Sequence, residues 1–199
     1  MSEVRNILAF LGIEEEEVIS LFERLCPVQE ANAGEVLLSS PTENYAFYIH
    51  IDGIARMVFT DNNGYEYTED FLYRLGDSCA NGRLLPVHPD NRSVDITYLC
   101  EAITPVRYVI VPIMVVERLC LEKHDFALKV LTYYINANID SCRNKRMDCM
   151  MTAEERYRWF LENYPGLSSK ISQKYISSFL HMTPEHFSRL KRKMSQDRG

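Results

Sequence analysis

Long apolar runs, paired cysteines and grouped histidines are all missing from this 199-residue sequence. Each absence removes a class of function. The longest strongly apolar stretch, residues 106–116, is broken by Arg107 and Pro112 and falls short of the roughly 20 residues that a bilayer crossing needs. The first ten residues have no basic start followed by a sustained apolar run, so no secretory leader is expected. None of the six cysteines forms a C-x-x-C pair, and five adjoin apolar residues. That usage suits buried thiols in a reducing compartment, and a cytoplasmic location is expected. The five histidines show no metal-ligand spacing, so neither a metal nor a cofactor is expected. No Gly-rich phosphate loop, Ser-His-Asp order or paired-acid signature stands out, which argues against an enzyme. The competing enzyme class is a cupin-type barrel. It needs two or three histidines with a Glu or Gln on one face, and His50 and His88 are the only ones in the β-rich region. No internal repeat or low-complexity tract is visible.

What is present is an ordinary globular composition, 46% hydrophobic and 25% charged, enough for a normal core without disulfide staples. The net charge of -6 is unevenly spread. Residues 1–60 carry ten acids against three arginines, whereas residues 185–199 carry five basic residues against two acids. An acidic body with a basic end suits a chain whose last segment meets a polyanion.

Apolar periodicity predicts helices over residues 1–25, in two pieces separated by Gly12 and ended by Pro27. From Ala31 to Val111 short β-rich runs alternate with turn residues. Asp52-Gly53 and Asn63-Gly64 read as hairpin turns. Strands at this spacing indicate a sandwich or a barrel. After Pro112 the chain reads as helical: a short helix over 113–121 and a long one from Glu122 to about Lys145. On the long helix Phe126, Val130, Tyr133 and Ala137 form one stripe, with Leu131, Tyr134 and Asn138 beside it. Two stripes invite a partner helix, so Phe126, Val130, Tyr133, Tyr134 and Ala137 are the expected dimer interface. Thr152 with Glu155 reads as a capping box for another helix ending near Asn163.

The last segment is the most informative. Ser172 caps a helix carrying Tyr175, Ile176, Phe179 and Leu180 inward. Leu180-His181-Met182 makes a tight turn, Thr183 caps a second helix, and Pro184 takes its first position, where the missing N–H costs nothing. Phe187, Leu190 and Met194 face inward, which leaves Glu185, His186, Ser188, Arg189 and Arg192 exposed. A recognition helix needs polar groups there to meet base edges in a major groove. Arginine reads guanine in bidentate fashion, and glutamate accepts from cytosine N4. Lys170, Lys174, Lys191 and Lys193 are candidates for phosphate contacts.

With these residues in view, the whole chain resembles the Crp/Fnr family of transcription regulators. The stretch Thr183-Pro184-Glu185-His186-Phe187-Ser188-Arg189-Leu190 is similar to the family's recognition helix, in which a Glu and an Arg four residues later contact bases. Glu185 and Arg189 match those positions, and Pro184 stands where an arginine is often found. Segments 155–157, 164–165 and 173–176 look like the Bacteroidetes-type subgroup. The sequence given runs on only to Gly199, so the hairpin wing of longer members is expected to be missing or vestigial.

The resemblance implies an α+β chain in three parts. Residues 1–121 form an N-terminal cyclic-nucleotide-binding-like β jelly-roll barrel, 122–147 a long connecting dimerisation helix, and 148–199 a C-terminal helix-turn-helix domain. It implies base reading by Glu185, Arg189, His186 and Ser188, and backbone contacts from Ser172, Gln173, Lys174, Thr183, Lys191, Arg192 and Lys193. It places an effector pocket at Asn81, Gly82, Arg83, Arg92 and Ser93. Cyclic nucleotides are disfavoured as the effector, because the Glu that clamps the ribose is missing from Gly76-Asp77-Ser78-Cys79-Ala80-Asn81-Gly82. The clustered N-terminal cysteines of iron–sulfur members are also absent, and Cys142 with Cys149 do not make a four-thiolate site. The implied partners are double-stranded DNA, a second copy of the chain, RNA polymerase and a small effector. The alternative is an effector-binding or protein-interaction module whose DNA binding is weakened or lost.

Overall fold

A computed structural model describes residues 2–40, 45–61, 63–81 and 97–196, with the backbone alone for 97, 138 and 140–149. Two helices open the chain, α1 (Glu3–Phe10) and α2 (Glu16–Leu25). Eight strands follow: β1 (Val28–Ala31), β2 (Val36–Ser40), β3 (Ala46–Asp52), β4 (Ala55–Thr60), β5 (Glu66–Leu72), β6 (Ser78–Ala80), β7 (Thr97–Ala102) and β8 (Val106–Pro112). The rest is helical: α3 (Ile113–Glu122), α4 (His124–Met150), α5 (Ala153–Asn163), a 3-10 turn (Leu167–Ser169), α6 (Gln173–Phe179) and α7 (Pro184–Gln196). The chain divides into two compact units: residues 1–65 with 69–133, and residues 66–68 with 134–199.

The strands form two four-stranded sheets, ordered β1-β8-β3-β6 and β2-β7-β4-β5. Among the described residues neither sheet closes on itself. This corrects the expected jelly-roll barrel, although the α+β class stands. A barrel needs every outer strand hydrogen-bonded on both sides. Here β1, β6, β2 and β5 are edges, and β6 offers only three residues for pairing. Strand alternation marks one buried face and carries no information on closure.

The turns behave differently from one another. Asp61 Oδ1 accepts from the backbone N–H groups of Asn63 and Tyr65, and the chain returns through Gly64 to place β5 beside β4. That connection is a hairpin, as expected. Asp52-Gly53 is not: β3 and β4 lie in different sheets, so it is a corner between them. Gly53 has φ +92°, and a Cβ there would collide with the carbonyl oxygen of Pro105. Both facts demand glycine.

The β1–β8–β3–β6 sheet is covered on both faces, and its central strands sort their side chains by parity. Ile49, Val109 and Val111 join Val4, Ile7, Leu8, Val18, Phe22, Leu119 and Phe126 in a core under the helices. Tyr48, Val106 and Tyr108 join Leu38, Ala55, Tyr98 and Cys100 in a second core between the sheets. The Asn81 amide closes that second layer, donating to Ser39 O (3.0 Å) and accepting from Ala46 N (2.8 Å). Register partners Arg56 and Glu101 form a largely buried ion pair at 2.5 Å between β4 and β7.

His50 is fully buried. Its Nε2–H donates to the Gly53 carbonyl (3.2 Å), an acceptor only, which leaves Nδ1 to accept from the Tyr48 hydroxyl (2.8 Å). Burial holds the imidazole below its ordinary pKa, against the raising influence of Asp77 and the Gly53 carbonyl. The folded chain therefore keeps His50 neutral where the unfolded chain takes up a proton. This contribution to stability is complete above about pH 6.5 and is lost progressively as pH falls below it. Urea unfolding between about pH 7.5 and 5.5 should show that loss, and His50→Gln, which keeps a donor and an acceptor, should flatten it.

Candidate nucleic-acid interface

Residues 134–199 build a helical unit around an aromatic core. The capping box expected at α5 is present: Thr152 Oγ1 accepts from Glu155 N, and the Glu155 carboxylate accepts from Thr152 N. From α5, Tyr157 and Phe160 point inward, and Trp159 stacks on Phe179 of α6 at 6.4 Å between centroids. Ser172 caps α6 by accepting from Lys174 N. Ile176, Phe179 and Leu180 are buried.

The α6–α7 connection is a closed turn. His181 takes φ +51°, the one non-glycine left-handed residue among those described. Its N–H donates to Ser178 O (3.2 Å), and Met182 N–H donates to Ser177 O (2.9 Å). This is the Schellman arrangement, which satisfies two of the orphan carbonyls at a helix end. Arg156 supplies a contact that the sequence pattern had not suggested. Its Nε donates to the Leu180 carbonyl (3.1 Å), and its Nη1 to the Met151 carbonyl (3.0 Å).

Helix α7 starts where expected. Thr183 Oγ1 accepts from His186 N (3.2 Å), and Pro184 occupies the first turn. Phe187 is fully buried and meets the Tyr157 ring edge-to-face at 4.9 Å. Leu190 and Met194 follow on the same buried face. The opposite face carries Glu185, His186, Ser188, Arg189 and Arg192, all exposed. Among the described residues none of these five side chains makes a hydrogen bond or ion pair. Gln173, Lys174 and Lys170 are exposed as well. Lys193 lies 3.9 Å from Glu154, and the half-buried Lys191 places Nζ 5.8 Å from the centre of the Phe187 ring. The geometry thus presents one acid and one guanidinium a helical turn apart, with cations flanking them.

The other expected sites are placed differently. On α4, Phe126 is buried against Phe22 at 6.5 Å and Val130 packs on the same core, so both serve the chain's own interior. The Tyr133 hydroxyl bonds Ser78, Tyr134 is half-buried and Ala137 is exposed. The exposed apolar face consists of Leu128, Leu131, Ile135 and Ile139, each between 47% and 54% exposed. Only Leu131 of these four figured in the stripes read from the sequence.

Of the expected effector-pocket residues, Asn81 serves the sheet interior, while Gly82, Arg83, Arg92 and Ser93 lie outside the described residues. His88 and the side chains of Cys142 and Cys149 lie outside them too. Cys26, Cys79 and Cys100 are buried free thiols. Burial pushes Cys26 up to about 11, and contact with the Cys79 thiol followed by burial raises Cys100. Neither is a thiolate nucleophile near neutral pH. Among the described residues no group of three or more His, Cys, Asp or Glu gathers in a metal-binding arrangement. No helix there is long and apolar enough to cross a membrane.

No family model matches this sequence, and no curated protein does. Solved structures do match. A Crp/Fnr-family transcriptional regulator from Eubacterium rectale superposes with a TM-score of 0.72 at 16% identity, over 96% of this chain and 88% of its own. FixK2 from Bradyrhizobium japonicum gives 0.70 at 16% identity, over 87% and 86%. CooA from Carboxydothermus hydrogenoformans gives 0.68 at 14% identity, over 96% and 84%. The chain has the fold of Crp/Fnr-type regulators, and at these identities the likeness speaks for the fold alone.

The seating of α7 is open to direct measurement. Phe187→Ala should destabilise the helical unit by about 3–5 kcal/mol. The single tryptophan, Trp159, lies in this unit, so its fluorescence during urea unfolding reports the change.

Proposed function

We propose that this protein is a DNA-binding transcription regulator of the Crp/Fnr type, not an enzyme, and that it works as a homodimer. The observation that carries the reading is the free edge of α7. Phe187, Leu190 and Met194 hold the helix down, while Glu185 and Arg189 stand exposed one turn apart. In a major groove Arg189 reads guanine O6 and N7 as a bidentate donor, and Glu185 accepts from cytosine N4. His186 and Ser188 extend the reading edge. Ser172 and Thr183 use their hydroxyl oxygens as caps, which leaves each O–H to donate to a phosphate oxygen. Gln173, Lys174 and Arg192 add backbone contacts, with Lys191 and Lys193 at the margin.

The dimer seam is the outer face of α4. Leu128, Leu131, Ile135 and Ile139 follow one another at steps of three, four and four, the spacing of a helix–helix seam. A stripe along one helix is self-complementary about a two-fold axis, so a second copy of the chain covers it. Two α7 helices then meet successive major grooves about 34 Å apart on a roughly palindromic site. The β-sandwich unit is the proposed seat of a small effector, whose binding biases α4 and hence DNA affinity. RNA polymerase is the expected protein partner. Membership of the Bacteroidetes-type subgroup rests on segments 155–157, 164–165 and 173–176 of the sequence.

Selection of duplexes from random DNA tests this reading. An enriched sequence with two-fold symmetry supports it, and no enrichment favours the alternative of an interaction module that has lost DNA binding. On the selected duplex, Arg189→Ala should cost about 1–3 kcal/mol and relax preference at one base pair. Lys174→Gln should weaken all duplexes alike and reduce the salt slope by about 1. Leu131→Glu combined with Ile135→Glu should give a monomer in sedimentation velocity. That monomer should lose most of its affinity for the two-fold site, because the two half-sites are no longer engaged together.

A further inference from the structure

We propose that Arg156 is a positioning residue for sequence reading, fixing the angle at which α7 leaves the helix-turn-helix. The proposal rests on the DNA-reading function above. Arg156 sits on α5. Its guanidinium grips two carbonyls that the surrounding secondary structure leaves open. One is Leu180 O at the cap of α6, reached by Nε at 3.1 Å. The other is Met151 O, just beyond the end of α4, reached by Nη1 at 3.0 Å.

The place gripped matters. The Schellman bonds from His181 and Met182 satisfy Ser178 O and Ser177 O, and Leu180 N donates to Ile176 O. Leu180 O points out of this closed turn with no helical partner of its own. A cation there also meets the negative end of the α6 dipole. The next residue, His181, holds a left-handed backbone that costs a non-glycine side chain energy. Two residues on, Thr183 caps α7. A loosened Leu180 carbonyl therefore frees the pivot from which Glu185 and Arg189 are aimed. The second arm links this pivot to Met151, at the junction between α4 and α5, so the turn and the end of the long helix are held by one planar group. A lysine ammonium lacks the fork that reaches two carbonyls in fixed directions.

A misplaced helix loses base contacts and keeps phosphate contacts. The readout is therefore the ratio of affinities for two duplexes. One is the sequence enriched by the wild-type protein, and the other is the same length with scrambled half-sites. Arg156→Met and Arg156→Lys should retain a cooperative urea transition and bind the scrambled duplex as the wild type does. Their affinity for the selected duplex should fall about tenfold, the scale of one charge-assisted hydrogen bond. A ratio equal to the wild type's overturns the proposal, including the case in which both affinities fall together through loss of folded protein. Should Arg156→Met fail to fold, Arg156→Lys decides, and a full ratio in that variant overturns the two-armed grip. A wild-type chain that enriches no sequence fails at the earlier step and removes the DNA-reading function along with this one.

Discussion

The seating of Phe187 against Tyr157 is the contact on which the free face of α7 depends. The ring is fully buried and lies edge-to-face on a ring of α5. Because a helix repeats every 3.6 residues, burying Phe187, Leu190 and Met194 decides which way every other side chain of α7 points. Glu185 and Arg189, at one helical turn from each other, are put on the free side by that constraint alone. Nothing else among the described residues restrains them, so their orientation is a consequence of the core.

The β unit follows a related logic with period two. Strands β3 and β8 are covered on both faces, and each therefore reads as an almost continuous apolar run with residues of opposite parity in different cores. Polar groups in such a layer must find partners inside it. Tyr48, His50 and Gly53 form one such chain, and the Asn81 amide forms another between Ser39 and Ala46. Asn81 thus serves to bind strands together. The thiols of Cys79 and Cys100 lie in the core between the sheets and that of Cys26 in the core under the helices, all three as packed hydrophobes.

Helix α4 divides its two sides between two tasks. Phe126 and Val130 complete the core under α1 and α2, whereas Leu128, Leu131, Ile135 and Ile139 remain uncovered. Four half-exposed aliphatic residues in one line make an apolar strip on the surface of the chain. The two stripes are opposite in role, although in periodicity they look alike.

The sequence by itself determined the element types, the two capped C-terminal helices and the face of α7 that stays free. Caps, period and turn residues are local, and Thr152, Ser172, Thr183 and Pro184 act within a few residues of where they stand. Strands β1 and β6, of four and three residues, are too short to show a period in the sequence. Only the tertiary structure decided that the described strands form two open sheets, that Asp52-Gly53 is a corner between them, and that Phe126 belongs inside the chain's own core. It alone revealed Arg156 at the α6–α7 turn, since an arginine on an amphipathic helix carries no mark of a carbonyl 24 residues away. These outcomes depend on which surfaces meet across long sequence separations, and a hydrophobic pattern records that a face is buried without recording what buries it.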